Sequence, residues 1–297
     1  MMVRSIGWGV FLVLALVLWW STLKVALHLG LHDDRYVMVV AGPVICAFLF
    51  YWERARIFSR VAWDPAAGLP MMALALLAFV VARRSIHGNE GTHLSLGMIT
   101  LVLASMAAFL LCYGRHSFRA AFFPLCCLVL AIPAPGWIMD RVIAGLQQLS
   151  AAISYEMIRL SGVPVVAQGP KLGLPGLEIE VAPECSGIRS CLSIALITLL
   201  AARLGLRSGW SRVTLVLSSI PLAVLKNAVR ISVLAILSAY IDHSILQSPA
   251  HRYGGMIFTP LEVAVLAAFL LRLRTLEATR TGPKTAGAGV VKLQPSV

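Results

Sequence analysis

Charged residues are scarce in this sequence of 297 residues: only 13% are Asp, Glu, Lys or Arg, whereas soluble domains carry about 25%. This scarcity excludes an ordinary soluble domain, and the hydrophobic share of 59% points to a membrane protein. Acidic residues are the rarer sign, with 13 against 25 basic ones. The basic residues form no stripe with interleaved aromatic side chains, so we expect no nucleic-acid partner and assign the excess to cytoplasmic loops.

Metal-binding and redox motifs are also lacking, because the six cysteines form no C-x-x-C pair and no Cys/His pattern. We therefore expect neither a metal nor another cofactor. Five cysteines lie within or at the end of apolar runs, where Cys usually behaves as a small hydrophobe. They are Cys46, Cys112, Cys126, Cys127 and Cys191. Cys185 is the exception, because it stands at the start of such a run.

Apolar stretches near the roughly 20 residues that a helix needs to cross a bilayer recur along the chain. In lipid they must be helical, because every backbone amide has to be satisfied internally. No small-residue cleavage site follows the first stretch, which we therefore read as a transmembrane helix rather than a signal peptide. The sequence predicts an all-α polytopic transmembrane bundle of about eight helices. Their spans are residues 6–29, 36–52, 68–82, 95–113, 120–132, 185–203, 213–240 and 256–273.

Two segments between the fifth and sixth helices have patterns of their own. Residues 137–160 are helix-like and apolar largely on one side, which is typical of an interfacial segment or of a further crossing. Residues 162–184 are rich in Gly and Pro, and apolar residues alternate there with Glu178 and Glu180. This alternation predicts a small extracytoplasmic hairpin before the sixth helix.

The distribution of Lys and Arg predicts the orientation, because cytoplasmic loops are enriched in both residues. With the N-terminus inside, the connections on that side and the C-terminal tail hold more basic residues than the outer segments do. We therefore expect both termini in the cytoplasm and the chain in an inner (plasma) membrane. Residues 1–275 are assigned to one transmembrane domain, and the polar residues 276–297 to a disordered cytoplasmic tail.

The first candidate site centres on Cys185, within A-P-E-C-S-G-I-R-S over residues 182–190. Pro183 suits the start of a helix, so we expect Cys185 in the first turn of the sixth helix, at the outer membrane boundary. The helix N-terminus and the Arg189 guanidinium, four residues later, would both favour a thiolate there. The alternative is a small residue that packs near a helix end while Arg189 snorkels.

The second candidate site lies within the otherwise apolar seventh helix, which contains Lys226, Asn227 and Arg230. Ionisable residues inside a membrane cost about 2.5–3.5 kcal/mol each on insertion scales and by default mark a functional site. Lys226 and Arg230 are four residues apart and share one face of the helix. The alternative is that they pair with buried carbonyls or with Glu262 of the eighth helix.

The third candidate is His251, in the sequence H-R-Y-G-G-M of the outer connection before the eighth helix. An imidazole exchanges protons near neutral pH, and the predicted topology places this one on the same side as Cys185. His243 is a nearby alternative. Four further histidines share that side of the membrane: His28, His32, His87 and His93.

Together these motifs resemble those of the exosortase/archaeosortase family of multi-helix membrane proteins. The resemblance rests on C-S-G-I-R from Cys185, on N-A-V-R from Asn227 to Arg230, and on His251 with Gly255 four residues later. The order of the motifs matches as well, and the resemblance covers roughly residues 30–275. The supporting positions within the motifs are Ser186, Gly187, Arg189, Asn227 and Gly255.

The resemblance implies a cysteine transpeptidase or protease with Cys185, Arg230 and His251 as its catalytic residues. It also implies a substrate class: exported proteins with a C-terminal sorting signal, made of a short PEP-CTERM-like motif such as Pro-Glu-Pro, a transmembrane helix and a basic tail. Cleavage would take place at the periplasmic face through a thioester acyl-enzyme, in association with exopolysaccharide-linked export. The nucleophile that accepts the acyl group stays open, and the lipid bilayer is the remaining partner.

Other classes of function are weighed against this one. A transporter of an anionic substrate would use Lys226 and Arg230, beside Pro221, to line its path. A thiol oxidoreductase would use Cys185 and Cys191, but six residues along one helix place them on nearly opposite faces. A non-catalytic scaffold would leave the intramembrane charges without a role.

Overall fold

The computed structural model describes residues 2–84, 90–182, 186–240 and 249–280, with side chains described except at 2–6, 90, 249–257 and 280. These residues form nine α-helices and one small sheet. The helices are α1 Met2–Leu18, α2 Trp20–His32, α3 Val37–Ile57, α4 Pro65–Arg84, α5 Glu90–Cys127, α6 Gly136–Leu160, α7 Ile188–Gly205, α8 Gly209–Tyr240 and α9 Pro249–Arg280. The strands are β1 Val166–Gln168, β2 Lys171–Leu174 and β3 Leu177–Glu180.

Five of the described segments are long and apolar enough to cross a membrane, and the bent pair α1–α2 would make a sixth. The five are Asp34–Ile57, Pro65–Arg84, Gly91–Ala131, Ile188–Gly205 and Gly209–Tyr240. The all-α polytopic class is therefore confirmed, whereas the predicted number of about eight spans is not. Neither α6 nor α9 is among the five.

The first predicted span, residues 6–29, is broken. Helices α1 and α2 meet at an angle of 79°, and the break falls at Trp19. The Trp19 side chain is buried, and its indole N–H donates to the hydroxyl of Thr100 on α5 at 3.0 Å. A buried indole needs such an acceptor. Hydropathy alone predicts one straight helix here, because it does not report this tertiary contact.

The fourth and fifth predicted spans lie on one element, α5, which is interrupted at Gly114 with φ 80° and ψ 174°. The interruption exposes two carbonyls of α5 to the connection between α3 and α4. The Ala62 amide donates to the carbonyl of Tyr113 at 3.3 Å, and the Asp64 amide donates to that of Leu111 at 3.4 Å. The connection thus docks on α5 where the helix breaks.

The chain divides into two compact units, residues 1–147 with 183–192 and residues 148–182 with 193–297. In the first unit, α3 and α4 both pack against α5. An aromatic cluster fills one end of this packing: the rings of Phe109 and Tyr113 lie 4.8 Å apart, and Phe58 contacts both. Gly68 of α4 lies so close to α5 that an added Cβ would stand 2.6 Å from the Cα of Leu111.

The second unit contains the sheet, where the predicted hairpin is a three-stranded antiparallel meander in the order β1-β2-β3. Leu172 pairs with Ile179 and Lys171 with Glu180. Leu172 is fully buried, whereas Lys171 lies 3.5 Å from Glu178 and 3.7 Å from Glu180 on the exposed face. The apolar and acidic residues of β3 therefore face opposite sides, as their alternation predicts.

Helices α6 and α9 extend the predicted segments. Helix α6 matches the helix-like segment 137–160 almost residue for residue, and its buried positions Ala151, Ser154 and Ile158 follow a helical spacing. Helix α9 begins before the predicted span 256–273 and continues to Arg280. Most of the predicted tail, residues 281–297, lies outside the described residues.

The break in α5 predicts that Gly114→Ala destabilises the protein. Its backbone conformation is nearly restricted to glycine, and a Cβ would stand 2.4 Å from the Ala62 carbonyl oxygen. We expect a loss of about 2–4 kcal/mol, seen as a lower midpoint of thermal unfolding in detergent. Gly145→Ala on α6 is the matched control, because nothing lies within 4 Å of its added Cβ. Equal midpoints for the two variants would contradict the assigned role of Gly114.

Candidate functional site

Helix α7 begins at Ile188, three residues after Cys185. Gly187, immediately before the helix, has a φ of 78°, and its carbonyl accepts the Cys191 amide at 2.8 Å. The prediction that Cys185 lies in the first turn of this helix is therefore wrong, because the first turn starts later. Cys185 itself lies outside the described residues, together with Pro183 and Glu184.

Ser186 and Gly187 form the junction that starts α7. The Ser186 hydroxyl is buried and accepts the Ile188 amide at 3.3 Å, which satisfies one donor at the helix start. The Ile188 side chain is buried against Met139 and Ile143 of α6. Ser186 and Gly187 thus set the backbone conformation directly before α7. The packing of Ile188 holds the start of α7 against α6.

Arg189 is exposed and pairs with Asp34, which lies 155 residues away in the chain. Its Nη1 lies 2.8 Å from one carboxylate oxygen and 3.0 Å from the other. Exposed pairs of this kind contribute about 0–1 kcal/mol. The role of Arg189 in stabilising a Cys185 thiolate stays a prediction, because its described partner is a carboxylate.

Asp34 belongs to a charged turn between α2 and α3. In this turn Arg35 donates to both carboxylate oxygens of Asp33, at 2.8–3.1 Å. These hydrogen bonds hold the pKa of Asp33 below its usual value, against a smaller opposing effect of burial. Arg35 also approaches Asp140 of α6 at 3.8 Å. The start of α7 therefore lies beside this charged turn, to which Arg189 is joined through Asp34.

Lys226 of α8 forms a buried ion pair with Glu262 of α9. The Lys226 Nζ lies 3.0 Å from a Glu262 carboxylate oxygen, and the two side chains are 10% and 0% exposed. The alternative raised from the sequence, that Lys226 pairs with Glu262, is confirmed. Both charges are thus withdrawn from solvent, and each depends on the other for compensation.

Asn227 faces the other way, toward α6. Its side-chain amide is buried and donates to the Ser150 hydroxyl at 3.1 Å. One turn further along α6, the Ser154 hydroxyl donates at 3.1 Å to the carbonyl of Ala228, the residue after Asn227, and the Ser232 hydroxyl donates to the same carbonyl at 2.8 Å. Small polar residues of this kind allow two helices to approach closely in lipid.

Arg230 is half-buried on α8, one turn beyond Lys226. It lies ten residues before the last described residue of the helix, Tyr240, which corresponds to about 15 Å. The helix comprises 32 residues and is thus about 48 Å long, where the hydrocarbon core measures about 30 Å. Up to about 18 Å of α8 therefore extends beyond the hydrocarbon core.

His251 and Gly255 lie on α9, so the prediction of a loop at His251 is wrong for the backbone. The side chain of His251 lies outside the described residues. Of the alternative histidines, His28 and His32 stack on each other with ring centroids 4.3 Å apart, whereas His87 and His243 are not described. The assignment of Cys185, Arg230 and His251 as catalytic residues stays a prediction.

Sequence reasoning missed Asp34 and Ser150, the partners of Arg189 and Asn227. Both partners are far away in the chain, and no local spacing signals them. Glu262 was found because an acidic residue is conspicuous in an apolar helix. Within the described ranges, no group of three or more His, Cys, Asp and Glu is arranged to hold a metal ion.

Comparison with protein families gives one finding. Residues 19–273 match the family model described as transmembrane exosortase (Exosortase_EpsH), which is well over half of the chain. All three motifs fall inside the matched range. Searches of curated proteins and of solved structures found no match.

The buried pair predicts that Lys226→Met destabilises the protein more than Lys226→Met combined with Glu262→Met. The single change leaves a carboxylate buried without its partner, at a cost of about 3–5 kcal/mol, whereas the double change removes both charges. Thermal unfolding in detergent measures the difference. Lys171→Met on the exposed face of the sheet is the control and should cost less than about 1 kcal/mol.

Equal loss of stability in the single and double variants would show that the two charges do not depend on each other. The ion pair would then be a contact without energetic coupling.

Proposed function

The chain belongs to the transmembrane exosortase family, and on that premise we propose that it is a cysteine peptidase and transpeptidase acting on exported proteins. Its substrates carry a C-terminal sorting signal, with a short motif such as Pro-Glu-Pro, a transmembrane helix and a basic tail. The enzyme removes the helix and tail at the outer face of the bacterial inner membrane. The observation that carries this proposal is the family match over residues 19–273, which includes every motif residue in order.

In the proposed reaction the Cys185 thiolate attacks the carbonyl carbon of the scissile peptide bond. A carbon–sulfur bond forms, the tetrahedral intermediate collapses and the carbon–nitrogen bond breaks. His251 protonates the departing amine, which leaves with the membrane helix of the substrate. His251 then takes a proton from water or from an acceptor amine as it attacks the thioester. The thiolate is regenerated and the exported protein is released or transferred.

Arg230 is proposed to stabilise the negative oxygen of the tetrahedral intermediate. A single such donor is typically worth about 10²–10³ in rate. Its distance of about 15 Å from the end of α8 is compatible with this role, because up to about 18 Å of the helix extends beyond the hydrocarbon core. If that extension is at the outer end, Arg230 stands at the membrane boundary, where the substrate helix emerges.

Neighbouring contacts support the placement of Arg230. Asn227 ties α8 to α6 through Ser150, and Lys226 ties it to α9 through Glu262. These two contacts lie about one turn before Arg230 and are made with different neighbouring helices. They restrict rotation of the helix, and with it the direction of the guanidinium, which is how a catalytic group is kept preorganised.

The transporter alternative loses its main argument. It depends on two uncompensated cations in the seventh predicted span, but Lys226 is neutralised by a buried carboxylate. No observation favours it over the peptidase.

Processing of a reporter protein with a C-terminal sorting signal tests the proposal. Co-expression with wild-type enzyme should shorten the reporter, and Cys185→Ala should abolish the shortening. Arg230→Ala and His251→Ala should each slow it by about 10²–10³ or more. The matched control is Cys191→Ala, a second cysteine six residues away, which should process the reporter at nearly the wild-type rate. Immunoblotting gives the rates, and mass spectrometry gives the cleavage position.

Continued processing by the Cys185→Ala variant would place the nucleophile elsewhere. Loss of processing in Cys191→Ala with normal expression would instead favour a redox pair of cysteines.

The proposed orientation predicts which cysteines an impermeant maleimide reaches in spheroplasts. With the other cysteines replaced, Cys185 should react from outside. A cysteine introduced as Ser208→Cys, between α7 and α8, should react only after permeabilisation. The reverse pattern would place the nucleophile in the cytoplasm and overturn the proposed site of cleavage, whatever the residual activity.

A further inference from the structure

An open cavity of about 780 Å³ lies where three helices of the second unit end. It is bordered by the end of α7, the connection to α8, the first turns of α8 and the last turns of α9. Helices α7 and α8 are both apolar enough to cross a bilayer, so the short connection between them has to emerge at a membrane surface. The exposed Trp210 at this connection agrees with that level, because Trp is enriched at the membrane–water interface.

The cavity is lined by basic and hydroxyl side chains. Arg207 from the connection and Arg274 from α9 are both exposed, with Ser208 and Ser211 beside them. Neither guanidinium forms an ion pair or hydrogen bond with another side chain in the part of the chain that the structure describes. Two guanidinium groups without a carboxylate partner are suited to bind a phosphate oxygen pair. The Ser211 hydroxyl is bonded to Glu277 instead.

The acidic residue of the cavity, Glu277, is already engaged in hydrogen bonds within the protein. The Glu277 carboxylate accepts the backbone amides of Arg207 and Ser208, each at 2.9 Å. The bond from Arg207 is the main cause that holds the pKa of Glu277 below its usual value. Glu277 also accepts a hydrogen bond from the Ser211 side chain and lies near the Arg212 charge. Its carboxylate thus fixes the connection that carries Arg207 through the backbone and does not pair with the Arg207 side chain.

Apolar side chains complete the lining and point to an amphiphilic ligand. Leu273 and Leu276 of α9 border the same cavity, and Leu276 is 55% exposed. A free phosphate ion would use the arginines but not this apolar border. We propose that the cavity binds the phosphodiester headgroup of an anionic glycerophospholipid, with Arg207 and Arg274 on the phosphate and the α9 leucines against the glycerol and upper acyl chains. Basic pockets between membrane helices have this chemistry.

Native mass spectrometry of the full-length protein in detergent tests the site with phosphatidylglycerol as the probe. Wild-type protein should bind phosphatidylglycerol in preference to zwitterionic phosphatidylcholine. The double variant Arg207→Gln/Arg274→Gln should bind it roughly 30-fold more weakly, as expected for two arginines near a phosphate. The control Arg119→Gln/Arg272→Gln removes the same charge, and Arg272 is on α9 outside the cavity lining. It should bind like the wild type.

Four outcomes would overturn the proposal. Equal weakening in both double variants would indicate a general effect of surface charge. Absence of any preference for phosphatidylglycerol would show that the cavity does not recognise an anionic headgroup. Full displacement of phosphatidylglycerol by millimolar inorganic phosphate would indicate a site for the free ion. If the double variant does not fold, the single variant Arg274→Gln, which changes one exposed side chain, must still weaken phosphatidylglycerol binding, and unchanged binding would overturn the site. Reporter processing is not the readout, so the result does not depend on the proposed peptidase activity.

Discussion

Helices inside a lipid bilayer gain little from hiding apolar surface, because the lipid is as apolar as their side chains, so they associate through close packing and a few buried polar bonds. The first unit uses close packing: Gly68 brings α4 against the backbone of α5, and Gly42 brings α3 within reach of the 3₁₀ turn that follows α5. The second unit uses polar bonds: hydroxyl and amide groups join α6 to α8, and a charge pair joins α8 to α9. Both devices replace a driving force that water would otherwise supply.

The same polar bonds distinguish the roles of the three polar residues within α8. Three polar residues in one apolar helix suggest a single functional cluster, but their contacts divide them. Asn227 bonds to Ser150, and Lys226 pairs with Glu262. Two of the three thus hold the helix in position, and the proposed chemistry is assigned to Arg230 on the family resemblance. Positioning residues next to a catalytic group are expected where a site is built between helices.

Hydropathy predicts where apolar helices lie but does not predict every break in them. The span 68–82 falls inside α4, and the span 36–52 starts one residue before α3 and ends inside it, because the length and composition of a membrane helix are local properties. The interruption at Gly114 falls where the predicted span 95–113 ends. The break at Trp19, whose indole bonds to Thr100, lies within a continuous apolar run and has no such local signal.

The candidate site shows the same division between local and distant information. Its motif residues could be named from local patterns and from the family resemblance, and the family itself is confirmed. The partners of those residues could not be named, since Asp34 and Ser150 lie 155 and 77 residues away from Arg189 and Asn227. The start of α7 was placed three residues too early, because the left-handed backbone at Gly187 delays the helix.

The contact at Gly68 also limits how this fold can evolve. A side chain at position 68 would collide with the Cα of Leu111, an atom that every amino acid possesses. No replacement at position 111 can therefore relieve the collision, and the two positions cannot compensate for each other over time. Glycine at position 68 is retained for as long as α4 and α5 keep their present separation, and only a shift of an entire helix would release it.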